Sequence, residues 1–171
     1  MIYPISNSGQ RIVFSDLVLE HFAKHRQVRW WQREAGGQLF ARFDLPTITV
    51  VEATGPRLGD YRTRYQYRPD RKAEQQEIAE RHARGLHFVG DWHTHPEDVP
   101  TPSDLDGESM REAFVRSAHT LNAFLLAIAG RLPPPEGLTL WVYDGSNRLL
   151  LSPLGLSSHS TERPHRTIRW I

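Results

Sequence analysis

His87-Phe88-Val89-Gly90-Asp91-Trp92-His93-Thr94-His95-Pro96 is followed, after a proline-rich loop, by Ser103-Asp104-Leu105-Asp106. His87 to Trp92 reads as a short, mostly apolar strand that feeds directly into the pair His93 and His95. Two histidines at i and i+2 of an extended chain stand on the same side, because strand side chains alternate with period two. The loop from Pro96 to Pro102 contains three prolines, which hold it extended and stiff. Ser103 then starts a helix that should end near Ser117. A carboxylate on its first turn, Asp106, can return to the histidine pair and complete a facial set of two nitrogens and one oxygen. Zinc accepts that set and keeps a fourth position open for water, which is the arrangement of a catalytic site.

Each part of this stretch also has a plainer reading. Ser103-Asp104-Leu105-Asp106 resembles a capping box, and taken alone that reading wins. A single strand histidine is more often hydrogen-bonded than metal-bound. Only the joint presence of His93, His95 and Asp106 calls for a metal, and zinc is the expected cofactor.

Outward from this stretch, Ser15 can cap a helix whose apolar stripe is Leu17, Val18, His21 and Phe22. Gly37 to Phe43 and Thr47 to Ala53 read as a hairpin turning at Asp44-Leu45-Pro46. Tyr61, Thr63, Tyr65 and Tyr67 alternate with Arg62, Arg64, Gln66 and Arg68, which predicts one strand with a basic face. Pro69 and Asp70 open a polar helix running to about Arg84 and stopping at Gly85. Ala123 to Ala129 is a continuous apolar run, the pattern of a central strand buried on both faces. Leu138 to Tyr143 and Arg148 to Leu151 flank the turn Asp144-Gly145-Ser146-Asn147. The fold class is therefore α/β in the α+β sense, a mixed β-sheet flanked by helices. One domain over 1–153 and a basic tail over 154–171 is the expected organisation.

The bulk numbers narrow the function classes. A chain of 171 residues with 39% hydrophobic residues is long enough to bury a core. Its 21 basic and 20 acidic residues leave a formal charge of +1, so no overall field calls for nucleic acid or anionic lipid. Cysteine is absent, so any metal must be held by His, Asp or Glu. The cysteine-dependent zinc deaminases are excluded on the same ground. No apolar run reaches membrane length, and the N-terminus lacks the layout of a signal peptide, so a cytoplasmic protein is expected.

Hydrolysis at such a centre needs a base to take a proton from water and pass it to a leaving amine. Glu34 stands out among 11 glutamates because it precedes Gly36-Gly37, where another backbone can approach closely, and then the apolar Leu39-Phe40. Ser103, beside the metal, could stabilise a developing oxyanion. Trp92, Gly36 and Gly37 are the candidate substrate-binding residues; Trp30, Trp31 and Trp92 either line a groove for an extended peptide or belong to the core. His21 and His25, at i and i+4, lack an acidic base between them and read as surface or packing residues.

Glu34 with Gly36-Gly37 and Leu39-Phe40, His93-x-His95-Pro96, and Ser103-x-x-Asp106 together resemble the JAMM (MPN-domain) metalloprotease family. The resemblance spans roughly Glu34 to Asp106 and matches every motif position. It implies a mixed sheet sandwiched by helices, with a cytidine-deaminase-like architecture. It also implies zinc bound by His93, His95 and Asp106, Glu34 as general base and Ser103 as oxyanion helper. The reaction implied is hydrolysis of an isopeptide or peptide bond after the C-terminus of a ubiquitin-like protein. Ala53-Thr54-Gly55-Pro56 and Gly90-Asp91-Trp92-His93 are further similar to small bacterial peptidases encoded beside ubiquitin-transfer-like enzymes. Such peptidases occur in CBASS anti-phage operons, where the conjugated target is a cGAS-like nucleotidyltransferase. Two other readings stand beside this one. One is a nucleic-acid-associated module using the Arg62/Arg64/Arg68 face, with nucleic acid a less favoured partner than protein. The other is a peptidase that trims a sulfur-carrier precursor.

Overall fold

The strand that carries His93 and leads into His95 lies inside a large sheet, hydrogen-bonded on both sides. A computed structural model of the chain describes residues 1–5, 8–117 and 119–155. The expected basic tail falls outside these residues, apart from its first two positions. In chain order the elements are β1 (Ile2–Pro4), β2 (Arg11–Phe14), α1 (Asp16–His25), β3 (Gly36–Asp44), β4 (Thr47–Ala53), β5 (Tyr61–Arg62) and β6 (Tyr67–Arg68). They continue with α2 (Arg71–Ala83), β7 (His87–Thr94), α3 (Asp104–Arg116), β8 (Phe124–Ala129), β9 (Leu138–Tyr143) and β10 (Arg148–Leu151). Eight strands form one sheet in the order β1-β2-β4-β3-β7-β8-β9-β10. The β2–β4 and β7–β8 pairs are parallel and the others antiparallel, so the sheet is mixed as expected. Among the described residues no helix is long and apolar enough to cross a membrane.

Strand alternation divides the core. Leu125, Ala127 and Ala129 of β8 cluster with Trp92, Val18 and Phe22, on the face covered by α1. Leu126 and Ile128 point the other way and cluster with Met110 of α3. Every residue of β8 is buried, because both faces of the sheet are covered at this strand. A register shift between Leu39 and Phe40 against β7 keeps both Phe40 and Phe88 in edge contact on one face.

The helices begin where their caps permit. The Ser15 side chain accepts from the Val18 N–H, and Asp70 accepts from the N–H groups of Lys72 and Ala73. At the end of α2, Gly85 has φ +74° and the Leu86 N–H returns to the Arg81 carbonyl, a Schellman closure that Gly permits most easily.

The segment from Tyr61 to Arg68 corrects one expectation. It is a hairpin of two short strands, pairing Tyr61 with Arg68 and Arg62 with Tyr67, and the Thr63 N–H donates to the Gln66 carbonyl. With no strand of the main sheet beside it, the chain folds back to pair its own backbone groups. The turn ends the strict alternation, so the arginines do not form one basic stripe.

Candidate active site

His93 and His95 leave β7 on the face of the sheet covered by α2 and α3. His93 lies opposite Ile128 in the parallel register, and Ile128 belongs to the α3-side cluster. The two Nε2 atoms are 3.0 Å apart. Asp106, in the first turn of α3, places Oδ1 3.3 Å from His93 Nε2 and Oδ2 3.5 Å from His95 Nε2. Among the described residues this trio is the one His/Cys/Asp/Glu group whose ligand atoms converge, all within 4.8 Å. Two imidazole lone pairs and a carboxylate so close together need a proton or a cation between them. The donor set, two nitrogens and one oxygen facing a cavity, fits zinc with an open position. On its other ring nitrogen, His95 Nδ1 is 4.0 Å from Glu97 Oε2, which leaves Nε2 facing the trio. Burial lowers the His95 pKa and the neighbouring His93 lowers it further, against the pull of Asp106. Burial alone would raise the Asp106 carboxyl, but His93 and the Ser103 hydrogen bonds outweigh it and hold the group well below the usual carboxylate range.

Glu34 lines the same cavity, whose volume is about 410 Å³. It sits just before β3, two residues ahead of Gly36, and Gly36 pairs with His93 in the antiparallel register. The adjoining Ala35 is clamped to β7: its N–H donates to Thr94 Oγ1 at 3.0 Å, and its carbonyl accepts from the Thr94 N–H at 2.8 Å. The Glu34 N–H donates to the Thr63 carbonyl, and its own carbonyl accepts from Arg62. The side chain is buried, with 6% of its surface exposed. Desolvation raises its pKa to about 7; His93 opposes the rise and Asp106 adds to it. A carboxyl poised near neutrality beside this trio suits a general base.

Ser103 is the N-cap of α3. Its hydroxyl donates to Asp106 Oδ2 at 2.7 Å, its N–H donates to the same oxygen at 2.7 Å, and the Asp106 N–H donates back to Oγ. The capping box and the converging trio therefore coexist, because one carboxylate takes part in both.

Residues 16–143 match the family of prokaryotic homologues of the JAB domain. The chain belongs to that family. It is 33% identical over 126 residues to a CD-NTase/cGAS isopeptidase of Vibrio cholerae serotype O1, covering 70% of this chain and 76% of that protein. A CD-NTase/cGAS isopeptidase of Pseudomonas aeruginosa is 34% identical over 96 residues, covering 54% and 61%. One from Escherichia coli is 25% identical over 130 residues, covering 74% and 81%. The solution structure of protein DSY2949 from Desulfitobacterium hafniense shares the fold, with TM-score 0.60 and 19% identity over 81% of this chain and 88% of that one.

Packing within this JAB domain sets the surroundings of the other residues singled out from sequence. Trp92 borders the cavity, but its side chain is 1% exposed and packs on the α1 face of the sheet, with its ring against Phe22 and His21 and its indole N–H donated to the Thr54 carbonyl. Strand alternation turns it away from the face that carries His93. Gly36 and Gly37 are also held by packing within the chain, and Gly37 lines the cavity. A Cβ on Gly36 would lie 2.6 Å from the Tyr67 ring, and one on Gly37 would lie 1.9 Å from the Thr54 carbonyl oxygen. The Ser103 hydroxyl donates to Asp106 and so orients that carboxylate, and Ser103 also lines the cavity. Arg62 and Arg64 donate to the carbonyls of Arg33, Glu34, Arg29 and Trp30, so they pin the segment before β3. His21 meets the Trp92 ring edge-on and His25 lies tilted against it, as packing residues do.

Thr94 and Gln27 were not singled out from sequence. Thr94 donates to Gln27 Oε1, and the Gln27 amide donates to the carbonyls of Gln32 and Arg64. Together they tie the loop bearing Glu34 to the strand bearing the histidines. Asp91 and Glu74 were also missed, and both line the cavity. Burial and the charge of Asp91 raise the Glu74 pKa against Arg71 and Arg57; burial also raises Asp91, against Arg71, His93 and Arg57. The signal for Asp91 was available, since a residue two before His93 on a strand shares its face.

Proposed function

We propose that this chain is a zinc-dependent isopeptidase that releases a protein conjugated through its C-terminus. The observation that carries the reading is the convergence of His93, His95 and Asp106 on one cavity with a buried, near-neutral Glu34. The three residues would hold the metal, which when bound supplies an acidified water and an electrophilic contact for the carbonyl oxygen. Glu34 takes a proton from the attacking water and delivers it to the leaving lysine amine. Its burial keeps bulk water from competing for that proton, and the Thr94 clamp on Ala35 keeps it aimed at the trio. Ser103 holds Asp106 in its ligating orientation through two hydrogen bonds to Oδ2.

The substrate reading follows the relatives, whose names describe isopeptidases acting on CD-NTase/cGAS. The target is then a cGAS-like nucleotidyltransferase, or a ubiquitin-like modifier in its place, attached by ubiquitin-transfer-like enzymes in a bacterial anti-phage (CBASS) setting. Precursor trimming uses the same chemistry on a peptide bond. The test incubates zinc-loaded protein with a CD-NTase joined through its C-terminal carboxyl to a lysine amine. Mass spectrometry should find both free CD-NTase and an unmodified lysine. Chelation, Asp106→Asn and Glu34→Gln should each abolish release. Release undiminished in Glu34→Gln sinks the mechanism, and zinc retained in full by Asp106→Asn sinks the ligand assignment.

A further inference from the structure

We infer that the groove leading away from His93 contains a cation-binding subsite, formed by Gln38, Glu74 and Asp91, that takes a lysine or arginine side chain of the substrate. The inference rests on the isopeptidase reading above and adds to it the chemical class of residue that the substrate presents beside the scissile bond.

The β3–β7 register places the subsite. Gly36 pairs with His93 and Gln38 pairs with Asp91, so the Gln38/Asp91 level lies one pleat along the sheet from the metal trio, on the same face. One pleat is two residues, about 7 Å of extended chain. An extended substrate following β7 with its scissile carbonyl at the trio thus sets a side chain two residues away over Gln38 and Asp91. Glu74 of α2 reaches the same level and is 3% exposed. Glu74 and Asp91 line the cavity that contains Glu34, His93 and Asp106. They also line, with Gln38, a second space of about 870 Å³ that continues between α2 and α3.

These groups are short of donors. Gln38 is 2% exposed, and its Oε1 is buried with no hydrogen-bond partner. Asp91 accepts no hydrogen bond from any described residue, although Arg71 and Arg57 act on it electrostatically. Asp91 and three further carboxyls (Asp60, Glu74 and Glu77) meet two guanidiniums, Arg57 and Arg71. Arg57 is held by Glu77 at 2.6 Å and stands farther off, at 3.6 Å, from Glu74. Arg71 bonds Glu74 at 2.9 Å with its side chain 66% exposed, and so shows how a guanidinium entering from solvent meets this wall.

An apolar or anionic side chain placed here would leave Gln38 Oε1 and the Asp91 carboxylate without a hydrogen-bond donor. A lysine ammonium brings three donors and a guanidinium five, with no acceptor to clash. The long aliphatic stem of either would lie along the apolar groove wall, as basic side chains do on apolar surfaces.

The test uses fluorescein-labelled hexapeptides of glycine and alanine. A single lysine is moved through the positions, and norleucine at the same position is the uncharged control. Binding to the zinc-loaded Glu34→Gln protein is read by fluorescence polarisation, and cleavage by the wild-type protein is read on quenched versions of the same peptides. One position should favour lysine over norleucine by about tenfold or more in Kd. Asp91→Asn, and separately Glu74→Gln, should bring that preference below about threefold. Gln38→Leu serves as a third variant that leaves the ion pairs of α2 intact, in case Glu74→Gln fails to fold. Equal binding of the two peptide sets, no binding of any peptide at millimolar concentration, or an unchanged preference in Asp91→Asn overturns the subsite. A second equivalent of zinc that is lost in Asp91→Asn also overturns it, in favour of an ion site. Lysine-dependent binding of the peptides, with the CD-NTase–lysine conjugate left intact by the zinc-loaded protein, keeps the subsite and removes the isopeptidase reading. Cleavage without lysine preference does the reverse.

Discussion

Replacing Glu34 with glutamine should inactivate the protein and stabilise its metal-free form at the same time, and the stabilisation should depend on pH. Lifting the Glu34 carboxyl from its ordinary value of 4.5 to about 7 disfavours the ionised folded state by about 3 kcal/mol. The sign follows from linkage. A carboxyl whose folded pKa is raised contributes stability that is fully present below 4.5 and is lost as pH rises through 7. Glutamine keeps the size of the side chain and removes the ionisation. Relative to wild type, the Glu34→Gln protein should therefore gain under about 1 kcal/mol at pH 5 and about 3 kcal/mol, as an upper limit, at pH 8. Every other titrating group is common to both proteins, so the change in their difference isolates Glu34. The assay is urea unfolding of both proteins in chelator at the two pH values, backed by thermal scans. The expected increment between pH 5 and pH 8 is roughly 2 kcal/mol, or about 4 to 8 °C in Tm for a chain of this size. Loss of the general base should lower kcat by about 10²- to 10⁴-fold in the zinc-loaded protein. A stability difference that is the same at both pH values, or a glutamine variant less stable at pH 8, would refute the claim that burial poises this carboxyl near neutrality.

Gly37→Ala should cost several kcal/mol, because its Cβ would lie 1.9 Å from the Thr54 carbonyl oxygen, and backbone cannot swing aside as a flexible side chain can; a Tm within about 2 °C of wild type would contradict this packing role. Thr94→Val removes the acceptor of the Ala35 N–H and the donor to Gln27. The loss should be about 1 to 3 kcal/mol for each buried group left unpaired. Turnover should fall as well, since the clamp positions Glu34; unchanged kcat with lowered stability would show that the clamp is structural only. Ser103→Ala should weaken zinc binding by about 10- to 100-fold through the freed Asp106 carboxylate. A variant with full zinc affinity and a 10²- to 10³-fold lower kcat would instead return the hydroxyl to an oxyanion role.

How much of this was legible in the chain depends on whether local rules decide. The helix starts at Ser15, Asp70 and Ser103 were legible, because a capping side chain bonds a backbone N–H two or three residues away. The β3–β4 hairpin and the buried β8 were legible from the turn at Leu45-Pro46 and the unbroken apolar run from Phe124 to Ala129. The juxtaposition of His93, His95 and Asp106 could be anticipated because period two puts both histidines on one side and a cap geometry holds the aspartate in a first helical turn. The strands β1 and β2 were not read, being three and four residues long, too short to show a period. The Tyr61–Arg68 segment misled for a different reason. Its alternation is real, but no neighbouring strand of the main sheet is there to keep it extended.

Sequence alone determined the identity and spacing of His93, His95 and Asp106 and the shared side of the two histidines, since these follow from the period of the strand and the reach of one loop. Tertiary structure decided that Trp92 serves the core and that Gly36 and Gly37 admit Tyr67 and Thr54. It also decided that Arg62 and Arg64 pin the loop carrying Glu34, and that Gln38 and Glu74 join Asp91 at the wall of the groove. Those outcomes depend on burial and on the β3–β7 register, which bring together side chains more than 30 positions apart between Gln38 and Glu74. No local periodicity encodes such a distance, because the free energy that selects it comes from packing the whole sheet against its helices.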